Sequence, residues 1–598
     1  MINFSKIQCK GKVLAFKRQG YLLFIPYLQF LLANFKQNKI VKVNIVPMKR
    51  LLNMVFIGLL AIVSKGQKIS STTVENNLQH PKLVVGIVVD QMRWDYLTRF
   101  YSLYKVNGGF KRLLGEGYSC ENTLIPYTPT VTGCGHACAY TGSVPSIHGI
   151  TGNNWWDNQL MRSVYCSEDK TVKVVGGKSD EDGQMSPRNM LTTSICDELR
   201  LATNFKSKVI GIALKDRGSI LPAGHSANAA YWYEGKTGNF ITSTYYMKEL
   251  PDWVNQFNKR KMVDSLYKKG WTISLPKETY SYYATADEKE YEGKPFGKEA
   301  TGFPYNLTGF VEKDYTKIAT TPHGNTLTVE MAKAAVIAEK MGKGSVTDFL
   351  AISFSSPDYI GHTFGPNSWE LVDNYVQLDD ELGKLFAFLD FTVGRNDYTV
   401  FLTADHAVAQ IPGFLKENKI PAGVSNVSGM MKLMNDQLKE KFGIEKSIVS
   451  MFNYQVHLNH PVIDSAKLDV EPIKKWIIQF LLKDTTVSNA FATSAIMTTP
   501  MNKNLREMFA NGFYPNRSGD IQIILKPGYF EGGTTGTTHG SWYPYDSHIP
   551  LLWYGWGIKH GKTNRETYMT DIAATVAALL HIQMPSGSVG KVIEEVLK

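Results

Sequence analysis

Residues 83–90 read Leu-Val-Val-Gly-Ile-Val-Val-Asp, an apolar run of strand length that ends at a carboxylate. Similar apolar runs recur far apart along the chain, and segments with helical periodicity separate them. Runs that are apolar throughout indicate strands covered on both faces. Strands that alternate with helices therefore predict an α/β fold with a mostly parallel central sheet flanked by helices. The further runs are residues 209–214, 349–354, 398–402 and 549–554.

Two stretches interrupt the alternation of strands and helices. Residues from about 230 to 325 are crowded with Tyr, Trp, Lys and Gly and have weak periodicity. In residues from about 413 to 505, Phe452, Tyr454 and Val456 alternate as in a half-buried strand, and an amphipathic helix follows. We interpret both stretches as inserted segments that decorate one domain, residues 67–598.

The helical segment 371–389 carries acidic residues among its regularly spaced apolar ones. Acids on an amphipathic helix usually form its solvated face. Asp373, Asp379 and Asp380 are therefore expected to face solvent.

Charge is distributed very unevenly along the chain. The sequence has 65 Lys and Arg against 54 Asp and Glu, a formal net charge of +11. Residues 1–66 contain 11 basic residues and no acidic one, so residues 67–598 are formally neutral. Bulk charge thus gives no reason to expect nucleic-acid binding, and the composition excludes a disordered, collagen-like or disulfide-scaffold protein.

The basic N-terminal region contains the pattern of a secretory signal. After Met48, the pair Lys49-Arg50 precedes an apolar stretch well short of the ~20 residues that span a bilayer. We predict a signal peptide at 48–66, with a short membrane anchor as the alternative, and a non-native extension at 1–47. The mature protein would be periplasmic or secreted, without a stable membrane span. Its five cysteines allow at most two disulfides, with no pairing indicated.

Acids and histidines follow several of the predicted strands. Asp90 ends the first run, Asp358 and His362 follow 349–354, and Asp405-His406 follows 398–402. A lone Asp after a strand is usually a helix cap or a turn residue. Ligands in parallel sheets gather at the carboxyl ends of the strands, however, and mixed oxygen and nitrogen donors suit zinc. The repetition therefore favours a metal site.

A segment rich in hydroxyl groups, residues 128–136, precedes small residues that could open a helix. A hydroxyl at that position is by default a helix cap. The same position also suits a nucleophile beside a metal, with an anionic substrate at the helix N-terminus. Position alone favours the cap.

Taken in order, these motifs resemble the alkaline phosphatase superfamily, and most closely its phosphate-irrepressible alkaline phosphatase branch. The resemblance extends from Lys82 to the segment 584–587 and implies an alkaline phosphatase-like fold. The triplet Lys215-Asp216-Arg217 is the most discriminating signal. The matching motifs are Asp90, Thr130-x-Thr132-x-x-x-His136, Gly142-Ser143-x-Pro145-x-x-His148, Asp358-x-x-x-His362, Asp405-His406 and Thr538-His539-Gly540-Ser541.

The resemblance implies roles for individual residues and two zinc ions as cofactors. Thr132 would be the nucleophile, with Thr130 as its rival, because Thr132 precedes the small-residue turn and has the family's spacing to Asn153. A zinc-bound Thr hydroxyl would be acidic enough to attack phosphorus. Asn153, Lys215 and Arg217 would bind the substrate's phosphate oxygens. One zinc would be held by Asp358, His362 and His539, and the other by Asp90, Asp405, His406 and Thr132.

The predicted function is hydrolysis of small phosphate monoesters through a phosphothreonine intermediate, by a monomer that binds no nucleic acid. The main alternative is a nucleotide pyrophosphatase or phosphodiesterase with the same metals. Lys215 and Arg217 count against it, because they match the extra charged oxygen of a monoester. A non-catalytic metal-binding protein with this fold is a further alternative, but it would have no need of Thr132.

Overall fold

The computed structural model describes residues 79–598. The predicted extension at 1–47 and the predicted signal peptide at 48–66 lie outside this range. The strands, β1 to β19 in chain order, are Leu83–Val89, Tyr118–Leu124, Asn154–Asp157, Arg162–Tyr165, Val174–Val175, Val209–Ala213, Ala229–Glu234, Asn239–Ser243, Asp348–Phe354, Tyr398–Thr403, Gly423–Ser425, Ile448–Phe452, Gln455–Leu458, Val487–Ala492, Ile521–Leu525, Tyr529–Glu531, His548–Gly555, Gly561–Thr563 and Thr567–Tyr568.

Helices surround these strands along the whole described chain. The α-helices, α1 to α20 in chain order, are Tyr96–Arg99, Gly109–Glu116, Thr132–Thr141, Pro145–His148, Asp180–Gly183, Ile195–Ala202, Asp216–Ala223, Asp252–Lys259, Met262–Lys269, Lys277–Tyr283, His323–Ala338, Ser356–Phe364, Trp369–Leu389, Pro412–Glu417, Val427–Phe442, His460–Ser465, Val470–Leu481, Lys503–Gly512, Pro544–Ser547 and Asp571–Leu580. In the described part of the chain, no helix is both long and apolar enough to cross a membrane.

The centre of the fold is an eleven-stranded sheet in the order β18-β2-β17-β10-β1-β9-β6-β7-β8-β5, with β19 also paired to β2. The strands β10, β1, β9, β6 and β7 run parallel. Strand β17 runs antiparallel to β10 and β2. Every residue of β1, β9 and β10 is buried, as their apolar sequences predict. The predicted α/β fold is confirmed.

The first predicted insertion contributes to this sheet before it departs from it. Strand β7 pairs parallel with β6 and antiparallel with β8, and both β7 and β8 lie mostly within residues 230–325. The decorating part of the stretch therefore begins after Ser243.

The second predicted insertion contains a sheet and a hydrophobic core of its own. Its strands form the four-stranded antiparallel order β12-β13-β15-β14, and β15 comes from beyond residue 505. Residues 448–458 form a hairpin, so 452–458 is not one strand, because Asn453 and Tyr454 turn the chain with φ of 56° and 59°. Buried residues such as Leu438, Val456 and Ile473 fill the core between this sheet and its helices.

Helix α13 contradicts the expectation of a fully solvated acidic face. Asp373 and Asp379 are completely buried. Trp271, Tyr280 and Gln377 donate side-chain hydrogen bonds to Asp373. Asp379 accepts hydrogen bonds from main-chain N–H groups in α2 and in the connection between α1 and α2. A carboxylate with such partners is stable in the interior.

Candidate active site

The carboxyl ends of the central strands bring the predicted ligands to one edge of the sheet. Asp90 follows β1, and Asp405 with His406 follows β10. Helix α12, which follows β9, carries Asp358 and His362 four residues apart and therefore on one face. The parallel register aligns the ends of these strands, since Val89 pairs with Phe354 across β1 and β9.

The first cluster of possible metal ligands consists of Asp358, His362 and His539. The His362 Nε2 atom lies 3.1 Å from Asp358 Oδ1, and His539 Nε2 lies 3.6 Å from the same oxygen. His539 comes from the loop between β16 and α19. These are the three residues predicted to hold one zinc ion.

The second cluster surrounds His406. Its Nε2 atom lies 3.5 Å from Asp90 Oδ1, 3.4 Å from Asp405 Oδ2 and 3.4 Å from the Thr132 hydroxyl oxygen. The possible ligand atoms of Asp90, Asp358 and His406 all lie within 4.8 Å of one another. Asp358 therefore belongs to both clusters and lies between them.

The three histidines are all oriented for metal binding through Nε2. In each, Nδ1 faces a main-chain carbonyl oxygen, at 2.8 Å for His362, 3.0 Å for His406 and 2.8 Å for His539. A carbonyl oxygen can only accept, so the proton is on Nδ1 and the Nε2 lone pair is free for a ligand bond. This arrangement is the one expected of metal-ligating histidines.

The buried carboxylates also fit a cation. Within the described chain, Asp90 Oδ1 and Asp405 Oδ2 are buried and accept no hydrogen bond. Burial and the neighbouring charge of Asp405 raise the pKa of Asp90 well above its usual range. Orphaned carboxylate oxygens around an imidazole nitrogen are a suitable donor set for zinc.

Lys215 lies at the centre of the site. Its ammonium group is 2.6 Å from Asp90 Oδ2 and 2.5 Å from Asp358 Oδ2, and its side chain is 3% exposed. Burial opposes its charge, but these two carboxylates outweigh that effect and raise the pKa of Lys215. The amine therefore stays protonated and places a positive charge beside both ligand clusters.

Thr132 and Thr130 have different surroundings. Thr132 is the first residue of α3, is 1% exposed, and directs its hydroxyl towards His406. The Thr130 hydroxyl instead donates a 2.7 Å hydrogen bond to the carbonyl oxygen of Ser541. The geometry favours Thr132 over Thr130 as the nucleophile.

Two further predicted phosphate-binding residues, Asn153 and Arg217, are each held by a hydrogen bond. The Asn153 Oδ1 atom accepts a 2.7 Å hydrogen bond from the Gly133 main-chain N–H, so its Nδ2 group remains to bind a ligand. Arg217, in the first turn of α7, donates a 3.0 Å hydrogen bond to the Tyr165 hydroxyl. That hydroxyl donates in turn to Asp216 Oδ1 at 2.7 Å.

A family model for type I phosphodiesterase / nucleotide pyrophosphatase matches residues 84–546. The chain belongs to this family, within the alkaline phosphatase superfamily. It is 50% identical over 537 residues to the alkaline phosphatase PhoV of Synechococcus elongatus, covering 89% of this chain and 96% of that protein. It is 49% identical over 524 residues to the alkaline phosphatase PafA of Elizabethkingia meningoseptica, covering 87% of this chain and 95% of PafA.

The solved structure of wild-type PafA matches with a TM-score of 0.85 at 49% identity, over 87% of this chain and 99% of PafA. These matches confirm the predicted superfamily, its α/β fold and an enzyme of the alkaline phosphatase type. The roles of individual residues and the identity of the metals stay predictions.

Two residues at the site of this alkaline phosphatase-type enzyme were missed by sequence reasoning. Tyr165 holds Arg217, yet in sequence it is only one of many tyrosines in the chain. His136, which belongs to the matching motif but was given no role from sequence, lies with Nδ1 2.9 Å from the Thr132 carbonyl oxygen and 3.3 Å from Asp405 Oδ2. Its place in that motif, four residues after Thr132 and so on the same face of a helix, was the available signal.

Proposed function

We propose that this protein is an exported two-zinc phosphomonoesterase that hydrolyses small phosphate monoesters and releases inorganic phosphate. The observation that carries the proposal is the placement of the Thr132 hydroxyl 3.4 Å from His406 Nε2, beside two clusters of buried and half-buried Asp and His donors. The similarity to alkaline phosphatases over most of the chain supports the same activity.

The donor set supports zinc as the metal. It combines imidazole nitrogens with carboxylate oxygens, which zinc accepts in catalytic sites. When bound, two zinc ions would acidify the attacking hydroxyl and stabilise charge on the leaving oxygen. One ion would be held by Asp358, His362 and His539, and the other by Asp90, Asp405, His406 and Thr132.

Thr132 would carry the covalent chemistry. Its oxygen, once deprotonated, forms a bond to phosphorus while the bond from phosphorus to the leaving-group oxygen breaks. The product is phosphothreonine, and the leaving oxygen departs as an alkoxide or phenoxide that takes up, through solvent, the proton lost by Thr132. Water then attacks the phosphorus from the vacated side, which releases inorganic phosphate and restores the Thr132 hydroxyl.

Asn153, Lys215 and Arg217 would bind the non-bridging oxygens. Asn153 is oriented by Gly133, beside the nucleophile. A monoester dianion has one more charged oxygen than a diester, and two cationic side chains complement it. A solved PafA structure carries substitutions at one Thr, one Asn, one Lys and one Arg, in the same order and at the same spacings as these residues and Thr132. That correspondence supports assigning the four residues to one site.

Diester hydrolysis is the second candidate, because the matching family model is that of phosphodiesterases and pyrophosphatases. The buried Lys215 and the half-buried Arg217 argue against it. A diester has a second ester group where a monoester has a charged oxygen, and this group gains little from a cation.

The decisive experiment compares an aryl phosphate monoester, its methyl diester and the matching sulfate, using zinc-loaded protein with Thr132→Ala and Thr130→Ala beside it. We expect the highest kcat/KM on the monoester, loss of turnover in Thr132→Ala, and phosphothreonine at residue 132 in acid-quenched peptides. A diester preference would establish the second candidate. A lack of hydrolysis by zinc-loaded wild type would refute both and leave a metal-binding role.

Export and the monomeric state are part of the same proposal. They are tested by fractionation of cells that express the full chain and by light scattering of the purified protein. Activity that remains in the cytoplasm would refute export.

A further inference from the structure

Gln91 directly follows Asp90 and is buried at the edge of the sheet, with 2% of its surface exposed. Its backbone has φ of +66°, in the left-handed region. That conformation is unfavourable for a residue with a Cβ atom, and glycine would adopt it readily. Such residues persist where the surroundings need the side chain, and they concentrate at functional sites.

The side-chain amide of Gln91 binds the carboxylate shared by the two ligand clusters. Its Nε2 atom donates a 2.7 Å hydrogen bond to Asp358 Oδ1, the oxygen that faces His362 and His539. The other oxygen, Oδ2, is taken by Lys215. Gln91 and Lys215 therefore fix the two oxygens of Asp358 from opposite sides.

The main chain of Gln91 reaches a third predicted ligand. Its N–H donates a 3.1 Å hydrogen bond to Asp405 Oδ1. This leaves Oδ2 of Asp405 directed at His406. One residue thus orients a carboxylate in each zinc site through two separate groups.

Helix α12 leaves space for this amide. A Cβ atom on Gly361 would lie 2.0 Å from Gln91 Oε1, far inside contact distance. Gly361 lies between Asp358 and His362 in that helix. The helix that carries two ligands thus packs directly against the Gln91 amide, with the oxygen against Gly361 and the nitrogen on Asp358.

We propose that Gln91 is a positioning residue of the candidate zinc site, whose amide holds Asp358 in the orientation that binds metal. The inference rests on the proposed function for the identity of the metal. Hydrogen-bond partners of metal ligands fix the ligand atom and tune its basicity, and their loss commonly reduces metal affinity roughly 10- to 100-fold. A neutral donor is suited to this task, because it orients the carboxylate without adding charge to an already acidic site.

The Gln91→Gly variant removes the side chain, including its amide, and leaves the main chain in place. Glycine suits the left-handed backbone and keeps the N–H bond to Asp405. Gln91→Met keeps most of the buried volume but cannot donate to Asp358. Gly361→Ala should displace the amide from the other side without altering Gln91 itself. Each of the three variants should break the hydrogen bond from Gln91 to Asp358, and each does so by a different change.

The measurement is zinc affinity, by competition with a chromogenic chelator on the full chain. We expect a roughly 10- to 100-fold loss in Gln91→Gly, Gln91→Met and Gly361→Ala. The double variant Gln91→Gly/Gly361→Ala should lose no more than Gln91→Gly, since both changes break one contact. The matched control is Gln377→Ala, which removes a 2.6 Å amide bond to Asp373 on α13 and should bind zinc as wild type does.

Thermal unfolding of the metal-free proteins checks that each variant folds. Equal zinc affinity in wild type and Gln91→Gly would overturn the inference, as would losses that add in the double variant. If the wild type binds zinc more tightly than Gln91→Gly but hydrolyses no phosphate ester, the proposed function is refuted and this inference stands. The two proposals therefore fail on different measurements.

Discussion

Tyr165→Phe removes one hydroxyl group and should weaken phosphate monoester hydrolysis through Arg217. In the structure that hydroxyl accepts a 3.0 Å hydrogen bond from Arg217 Nη1 and donates a 2.7 Å bond to Asp216 Oδ1. Arg217 Nε is buried without a partner among the described residues, so the guanidinium has few other restraints. Without the hydroxyl, we expect Arg217 to shift towards Asp216, whose carboxylate is 4.0 Å away. That shift would move the guanidinium group away from the phosphate group of a bound substrate.

The expected size follows from the bond that is lost. A hydrogen bond to a charged group contributes about 1.5–3 kcal/mol. Asp216 would recover part of this, so we expect a net loss near the lower bound. Since about 1.4 kcal/mol corresponds to a factor of ten, kcat/KM for an aryl monoester should fall roughly tenfold. The matching methyl diester should lose much less, because it lacks the extra charged oxygen that Arg217 would bind.

A double-mutant cycle tests whether Tyr165 acts through Arg217. In an Arg217→Ala background, Tyr165→Phe should have almost no further effect on the monoester. Tyr104→Phe is a suitable control, because it removes another buried tyrosine hydroxyl, bonded to the Tyr96 carbonyl, that contacts no predicted site residue. A tenfold loss in both backgrounds, or an equal loss on the diester, would refute the coupling.

Three further outcomes are expected. Removal of metal by a chelator should lower the Tm and abolish hydrolysis. Zinc added back at about 1,000 times its Kd should restore about 4 kcal/mol of stability. An unchanged Tm after metal removal would exclude a buried metal site. Asn453→Ala removes a 2.9 Å hydrogen bond to the Asn154 carbonyl oxygen beside Asn153, and we expect a roughly 3- to 10-fold lower kcat/KM with little change in Tm. Burial, and then the charge of Glu370, raise the pKa of Glu292 from 4.5 to about 9, so the folded protein holds a proton that the unfolded chain has lost. This contribution to stability is complete below about pH 4.5 and is lost as the pH rises to about 9. Glu292→Gln should therefore flatten the fall in Tm over that pH range. An unchanged slope of Tm against pH would contradict the raised pKa of Glu292.

The strand-end residues of the site could be predicted from sequence because sheet physics places them. An apolar run that ends at an acid predicts both the strand and the position of the carboxylate at its end. Parallel pairing of β1 with β9 and β10 then brings Asp90, Asp358 and Asp405 together. No knowledge of loops is needed for this step, since the register of buried strands is strongly specified.

Residues that reach the site from loops or hairpins could not be predicted in this way. His539 was assigned only through the family resemblance, and Tyr165 lies in the short hairpin of β3 and β4. The burial of Asp373 was missed for the same reason. Its partners Trp271 and Tyr280 come from the first insertion, about a hundred residues away, and helical periodicity carries no information about them.

The balance of charge at the site explains how residues 67–598, which are formally neutral, could attract a phosphate dianion. Asp90, Asp358 and Asp405 outnumber the single ammonium of Lys215, so the buried protein groups alone are net negative and would repel phosphate. Two divalent cations would reverse that balance, and Arg217 would add to it. Lys215 would then be freed from some of its attraction to the carboxylates and could bind a phosphate oxygen. Metal binding would therefore both supply the positive charge and release the lysine that we propose favours monoesters, which would couple substrate preference to metal occupancy.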